Sequence, residues 1–139
     1  MNKPAIVRTR DVMNARFITI DGLETVGTAF EELKRKDARC IVVKKRDERD
    51  EFGVVLLSDI AKKVIAADRS PGRVNVYEIM SKPVISVSPD MDIRYAARLF
   101  SQFGISVAPV IEQGEVIGIV TYADIVLHGL SANVASDDT

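Results

Sequence analysis

The chain has 139 residues, 47% of them hydrophobic and 28% charged, with a net charge of −1 and a pI near 5.9. That is enough chain for one compact domain or two small units sharing a core, with the composition of a folded rather than a disordered protein. A near-neutral chain has no basic field to hold a phosphate backbone, and no apolar run approaches the roughly 20 residues that span a bilayer, so nucleic acid and membrane are set aside as partners.

The opening "MNKPAIVRTRDVM" lacks the apolar core of a secretory signal, and a cytoplasmic location is expected. "FITI" (17–20) has the look of a strand. Asp21-Gly22-Leu23-Glu24 follows with a capping-box pattern, and Val26, Ala29, Phe30 and Leu33 then fall at helical spacing. "CIVV" (40–43) and "FGVVLL" (52–57) predict two strands joined by "KKRDERDE", whose mixed signs suit a solvated hairpin rather than a docking patch. Cys40 is the single cysteine, so no internal disulfide can form, and its apolar neighbours mark a buried, inert thiol. Another helix begins near Asp59. The Ser-Pro-Gly centre of "ADRSPGRVNV" (67–76) reads as a linker.

The second half repeats this order. "RDVMNARFITIDGLETVGTAFEEL" aligns without a gap on "YEIMSKPVISVSPDMDIRYAARLF", Met13 falling on Met80 at an offset of 67 residues. Asp59 falls on Asp124 at an offset of 65, so two extra residues of the first copy belong in its polar hairpin, opposite "EQGE". "VISV" (84–87) predicts a strand and Ser88-Pro89-Asp90 a helix start, with Ile93, Ala96, Ala97 and Phe100 as the buried stripe. "VAPVI" and "VIGIV" predict the last two strands. His128, the sole histidine, has no second ligand with which to hold a metal, so no metal site is expected. "SANVASDDT" (131–139) lacks apolar periodicity and reads as a flexible tail. The expected architecture is mixed α/β (α+β): repeats at 8–66 and 77–130, each β-α-β-β-α, packed as a pseudo-two-fold pair through their sheets. Neither repeat alone would bury much core. Clefts along the seam of such a pair are the expected ligand sites.

Two octets sit at the ends of the repeats, "GVVLLSDI" (53–60) and "GIVTYADI" (118–125). Gly118 permits close backbone approach, Thr121 falls at an N-cap, and Asp124 falls one turn in with its carboxylate on the same side. Such a pair has two readings. It is a capping box that needs no ligand, or it is a hydroxyl and a carboxylate placed to hold a vicinal diol, of which ribose is the commonest. Duplication at two equivalent turns favours the second. In the first copy Leu56 replaces the threonine ahead of Asp59. Leucine can neither cap nor bond a diol, and Ser58 is left as the candidate cap, so that site is expected to be weak or empty.

The paired "DVM" and "EIM", the "VAPV", and the two endings of Gly, apolar pair and Asp-Ile resemble the cystathionine-β-synthase (CBS) domain pair, or Bateman module, over about Arg8 to Leu130. The resemblance implies a non-catalytic regulatory module with an adenosine-containing ligand (AMP, ADP, ATP, NAD or S-adenosylmethionine) between the repeats. Thr121 and Asp124 would hold the ribose. Ile119, Ala15, Ala38, Arg39, Cys40 and Ser106 would line the base and phosphate side, and Asp59 with Lys82 the weaker second site. With Arg39 the main basic residue there, the phosphate side is thin for a triphosphate. The resemblance further implies a homodimer and an effector protein regulated in trans. The rival reading is a structural dimerisation module with vestigial clefts. No nucleophile elbow, P-loop or Ser-His-Asp set is present to suggest an enzyme.

Overall fold

A computed structural model of the chain describes residues 6–82 and 85–137. A short helix α1 (Thr9–Val12) precedes β1 (Phe17–Ile20), α2 (Val26–Lys36), β2 (Cys40–Val43), β3 (Gly53–Leu56) and α3 (Leu57–Ile60), which widens into a π-helical turn over Ala61–Ile65. Single 3-10 turns follow at Pro71–Arg73 and Val76–Glu78. The second half carries α4 (Ile93–Phe103), β4 (Val107–Glu112), β5 (Glu115–Thr121) and α5 (Tyr122–Asp137). β1 runs parallel to β2, which pairs antiparallel with β3, while β4 and β5 form a separate antiparallel pair. The class is mixed α+β, as expected.

Three local expectations change. α2 and α4 start later than the turn signals suggest. Their caps are Thr25, which accepts from the Thr28 N–H, and Asp92, which accepts from the Arg94 N–H. Asp21 and Ser88 instead close the turns ahead of the helices, accepting from Leu23 N and Asp90 N. The predicted strand "VISV" is reduced among the described residues to a single parallel bridge, Val87 with Val110; Val84 lies outside them. Val87 donates to Pro109 O and accepts from Ile111 N. The next step of a parallel ladder would need an N–H from Pro109, which proline lacks. Val42 has one at the aligned position, and there the ladder is complete. Phe30, expected in the core, is 49% exposed and takes the Lys34 ammonium over its ring; Val26, Ala29 and Leu33 are the buried stripe.

The chain divides into two compact units that do not coincide with the sequence repeats. The first unit is Arg16–Val84; the second joins Met1–Ala15 to Ile85–Thr139. In the second unit Thr9 N donates to Met91 O, Arg10 N to Pro89 O, and Ile93 N to Val7 O. Shifted by 67 residues, the same three bonds appear in the first unit as Val76 N to Glu24 O, Tyr77 N to Gly22 O, and Val26 N to Val74 O. Val7 and Val12 therefore sit in a core with Ile93, Phe100, Val110 and Val120. Val74, Val76 and Ile79 sit in the other with Ile18, Leu33, Ile41 and Val55.

The stretch 67–76 is thus a linker by sequence but ends in two fully buried valines. α5 also continues through the expected tail as far as Asp137, with the Ser131 hydroxyl donating to Leu127 O across one turn. No proline or glycine interrupts it after Gly129. We expect Val74→Ala to lower the unfolding free energy by about 2 kcal/mol in urea melts, the cost of a vacated core site. A true linker position would respond by less than about 0.5 kcal/mol.

Candidate functional site

The turn from β5 into α5 is built by a reciprocal pair. Thr121 caps the helix, its Oγ1 accepting from Asp124 N at 3.1 Å. Asp124 Oδ2 accepts from Thr121 N and from Thr121 Oγ1, both at 2.9 Å. Both readings of the motif are therefore compatible with the geometry, since the cap forms without a ligand. A third donor reaches the same oxygen: Asn14 Nδ2, at 2.7 Å. Among the described residues no hydrogen bond goes to Asp124 Oδ1. The carboxylate is fixed through one oxygen and keeps the other as an acceptor, at a side chain that is nearly buried.

Asn14 is the residue that sequence reasoning missed. It arrives from 110 residues away because its N–H and C=O pair with Ile119 O and N, both at 2.9 Å. Its counterpart Ser81 makes the same backbone pair with Val54. An amide directly after the repeated methionine was the available signal. Gly118 permits close approach as expected, and what approaches is Met13: a Cβ there would lie 2.9 Å from the Met13 sulfur and 3.2 Å from Asn14 O. The aligned Gly53 faces Met80 in the same way.

Thr121, Asp124, Ile119, Ala15 and Ser106 all belong to the second unit. Ile119 is buried, while Ala15 and Ser106 are exposed. Ala38, Arg39 and Cys40 belong to the first unit at the start of β2. Arg39 is exposed, with its N–H on Arg16 O; Ala38 and Cys40 are buried. Burial, with a smaller contribution from the Asp59 charge, pushes the Cys40 thiol up to about 12, so the thiolate is not populated near neutrality.

The Asp59 carboxylate meets one backbone N–H and one ammonium, the latter also donating to Ile79 O at 3.1 Å. Leu56 N donates to Asp59 Oδ2 at 2.8 Å, and Lys63 Nζ stands 3.6 Å from Oδ1. Ser58 lies inside the first turn and makes no cap; the N-cap position is Leu56, with a backbone donor only. At the position of Lys63 the second copy has His128, which is exposed. Lys82 places its ammonium on both oxygens of Asp50, at 2.8 and 2.7 Å. Lys82 and the Arg46 N–H hold the Asp50 carboxyl well below the usual carboxylate range. Among the described residues no group of His, Cys, Asp and Glu could hold a metal ion, and no helix is long and apolar enough to cross a membrane.

The profile of the CBS domain matches residues 10–66 and again 76–130, and the chain belongs to the CBS domain family. An uncharacterized protein of Methanopyrus kandleri is 32% identical over 121 residues, 86% of this chain; the chain spans 61% of that relative's length. The hexameric CBS-CP12 protein from bloom-forming cyanobacteria is similar at a TM-score of 0.81 and 39% identity, over 86% of this chain and 69% of that one. A CBS domain pair solved in complex with 5′-methylthioadenosine and S-adenosyl-L-methionine is similar at a TM-score of 0.74 and 27% identity, over 91% and 99% of the two chains.

Two outcomes follow from these contacts. Asn14→Ala removes one of three donors from a buried carboxylate oxygen and should cost about 1–3 kcal/mol in denaturant melts. Ser81→Ala, which keeps the backbone pair, should stay within about 0.5 kcal/mol. Because the Asp50 carboxyl titrates lower folded than unfolded, its stabilisation is whole above its ordinary value of 3.8 and is lost as pH falls below it. Asp50→Asn should therefore flatten the acid limb of the stability–pH curve, and an unchanged limb would count against the Lys82 pairing.

Proposed function

We propose that the chain is a regulatory module, without catalysis of its own, that binds an adenosine-containing ligand at Thr121 and Asp124. One observation carries this reading: the Asp124 carboxylate is held by three donors on Oδ2, and no hydrogen bond goes to Oδ1 among the described residues, so that Oδ1 would accept from a ribose diol. That a similar CBS domain pair was solved with S-adenosyl-L-methionine and 5′-methylthioadenosine supports the class. The Asp59 turn, occupied by Lys63 and lacking the threonine, is the unused counterpart. Ligand binding would bias the equilibrium between two arrangements of a homodimer in the cytoplasm, read by an effector protein in trans. The bias is limited to the ligand's differential affinity for the two arrangements.

The Asp59 turn favours a second reading, a structural dimerisation module in which neither turn takes a ligand. Thermal-shift titration with S-adenosylmethionine, AMP, ADP, ATP and NAD separates the two. A ligand at 100 times its Kd adds about 2.7 kcal/mol to the folded state, a clear rise in Tm. We expect that rise in the wild type and in Asp59→Ala, and its loss in Asp124→Ala. No rise with any of the five would leave the structural reading standing.

A further inference from the structure

The first unit contains a cavity of about 500 Å³ at the hairpin end of its sheet, within the size range of small-molecule sites. It is not the Asp59 turn. β2 runs from Cys40, which pairs with Leu56 beside Asp59, to Val43, which pairs with Gly53, and the cavity lies beyond Val43. Leu23, Tyr77 and Met80 supply apolar walls, and Lys44, Lys45, Arg46 and Lys82 bring positive charge. Asp21 is the one acidic residue of the lining, and its Oδ1 already accepts from Leu23 N.

The duplication supplies a comparison inside the same molecule. A shift of 67 residues carries Leu23, Lys45 and Tyr77 onto Asp90, Glu112 and Arg10. In the second unit the Arg10 guanidinium reaches Asp90 at 3.0 Å and Glu112 at 3.2 Å, so a cation bridges two carboxylates across this end of the fold. In the first unit none of the three charges is kept. The bridging cation is a tyrosine, one acid is a leucine, and the other is a lysine. Ile111 and Ala15 of the second unit likewise correspond to Lys44 and Lys82.

The charge of the first unit is not neutralised from within. Asp50 answers Lys82 and Arg46. Lys45 stands 4.9 Å over the Phe52 ring, a contact that leaves its charge in place. Neither Lys44 nor Lys45 has an ion pair among the described residues. Where one unit has a built-in ionic bridge, the other has a recess with two lysines that no carboxylate pairs among the described residues.

We propose that this recess is a second ligand site, independent of Asp124, for a small organic phosphate. The phosphoryl group would lie between Lys44 and Lys45, and the apolar body against Leu23, Tyr77 and Met80. Several clustered cations suit a dianion better than a single carboxylate.

The test is an amide chemical-shift titration of the full chain with phenyl phosphate at constant ionic strength, with phenol and inorganic phosphate as separate arms. We expect saturable shifts at Gly22, Leu23, Lys44, Lys45 and Tyr77, with phenyl phosphate binding more tightly than either fragment. Lys44→Gln with Lys45→Gln, both exposed, should weaken binding about tenfold or more by removing charge-assisted hydrogen bonds. Leu23→Asp, Lys45→Glu and Tyr77→Arg together would install the second unit's bridge and abolish binding. Three outcomes overturn the proposal: shifts that grow linearly without saturating, shifts centred on Thr121–Asp124, or undiminished affinity in the Lys44→Gln/Lys45→Gln chain.

Discussion

Three backbone hydrogen bonds dock the segment around α1 onto the turn ahead of α4, and three more, each 67 residues displaced, dock Val74–Tyr77 onto the turn ahead of α2. Each repeat thus gives up its leading segment to the core that the other repeat's sheet and helix build. A piece of about 60 residues buries too little surface to be stable alone. Here each core is completed by valines from outside its own repeat: Val7 and Val12 in one, Val74 and Val76 in the other. The exchange also explains the candidate site, because it delivers the Asn14 amide to Asp124 across 110 residues of sequence. The site depends on that docking.

Backbone pairing is where the two copies agree; side chains at the ends of the sheets are where they part. Each unit has two such ends, and in each unit one end is closed by its own ions. In the second unit Arg10 with Asp90 and Glu112 closes the hairpin end, while Asp124 keeps an acceptor oxygen at the helix end. In the first unit Lys63 and Leu56 occupy Asp59 at the helix end, and the hairpin end is open and basic. The open and closed ends alternate. Exposed ion pairs such as that of Arg10 contribute little stability, about 0–1 kcal/mol, so folding alone does not explain where they fall.

The repeat, the class of fold and the pairing of Thr121 with Asp124 were legible because they rest on local patterns: apolar alternation, helical spacing and a four-residue motif. What was not legible depends on a partner distant in sequence. Pro109 reads as an ordinary strand residue until β4 needs its N–H for a second parallel step beside Val87. Phe30 fits the apolar stripe by spacing, but the narrower stripe of Val26, Ala29 and Leu33 already fills the space against the sheet. The linker signal around Pro71 says nothing of Val74 and Val76 three to five residues on, which are held by Val26 N and Glu24 O. Asn14 has no periodic signature at all. Its role follows only from the bridge to Ile119, which places it opposite a strand residue two positions before Thr121.

The capping box and the proposed diol clamp do not compete, which would lower the cost of a ligand at Oδ1. Thr121 Oγ1 is already both donor and acceptor within the box, and Oδ2 carries three donors. A ribose accepted by Oδ1 breaks none of these bonds. The carboxylate also loses no rotamer freedom on binding, because Asn14 and Thr121 have removed it beforehand; such preorganisation raises affinity by cutting the cost of ordering. The same box starts α5, whose first residue, Tyr122, stacks edge-on against the buried Phe100 of α4 at 5.2 Å. α5 then exposes Val126, Leu127 and Leu130 along its length. A ligand on Oδ1 would therefore sit at the root of a long helix. At the Asp59 turn the helix changes to a π-helical turn within four residues, over Ala61–Ile65.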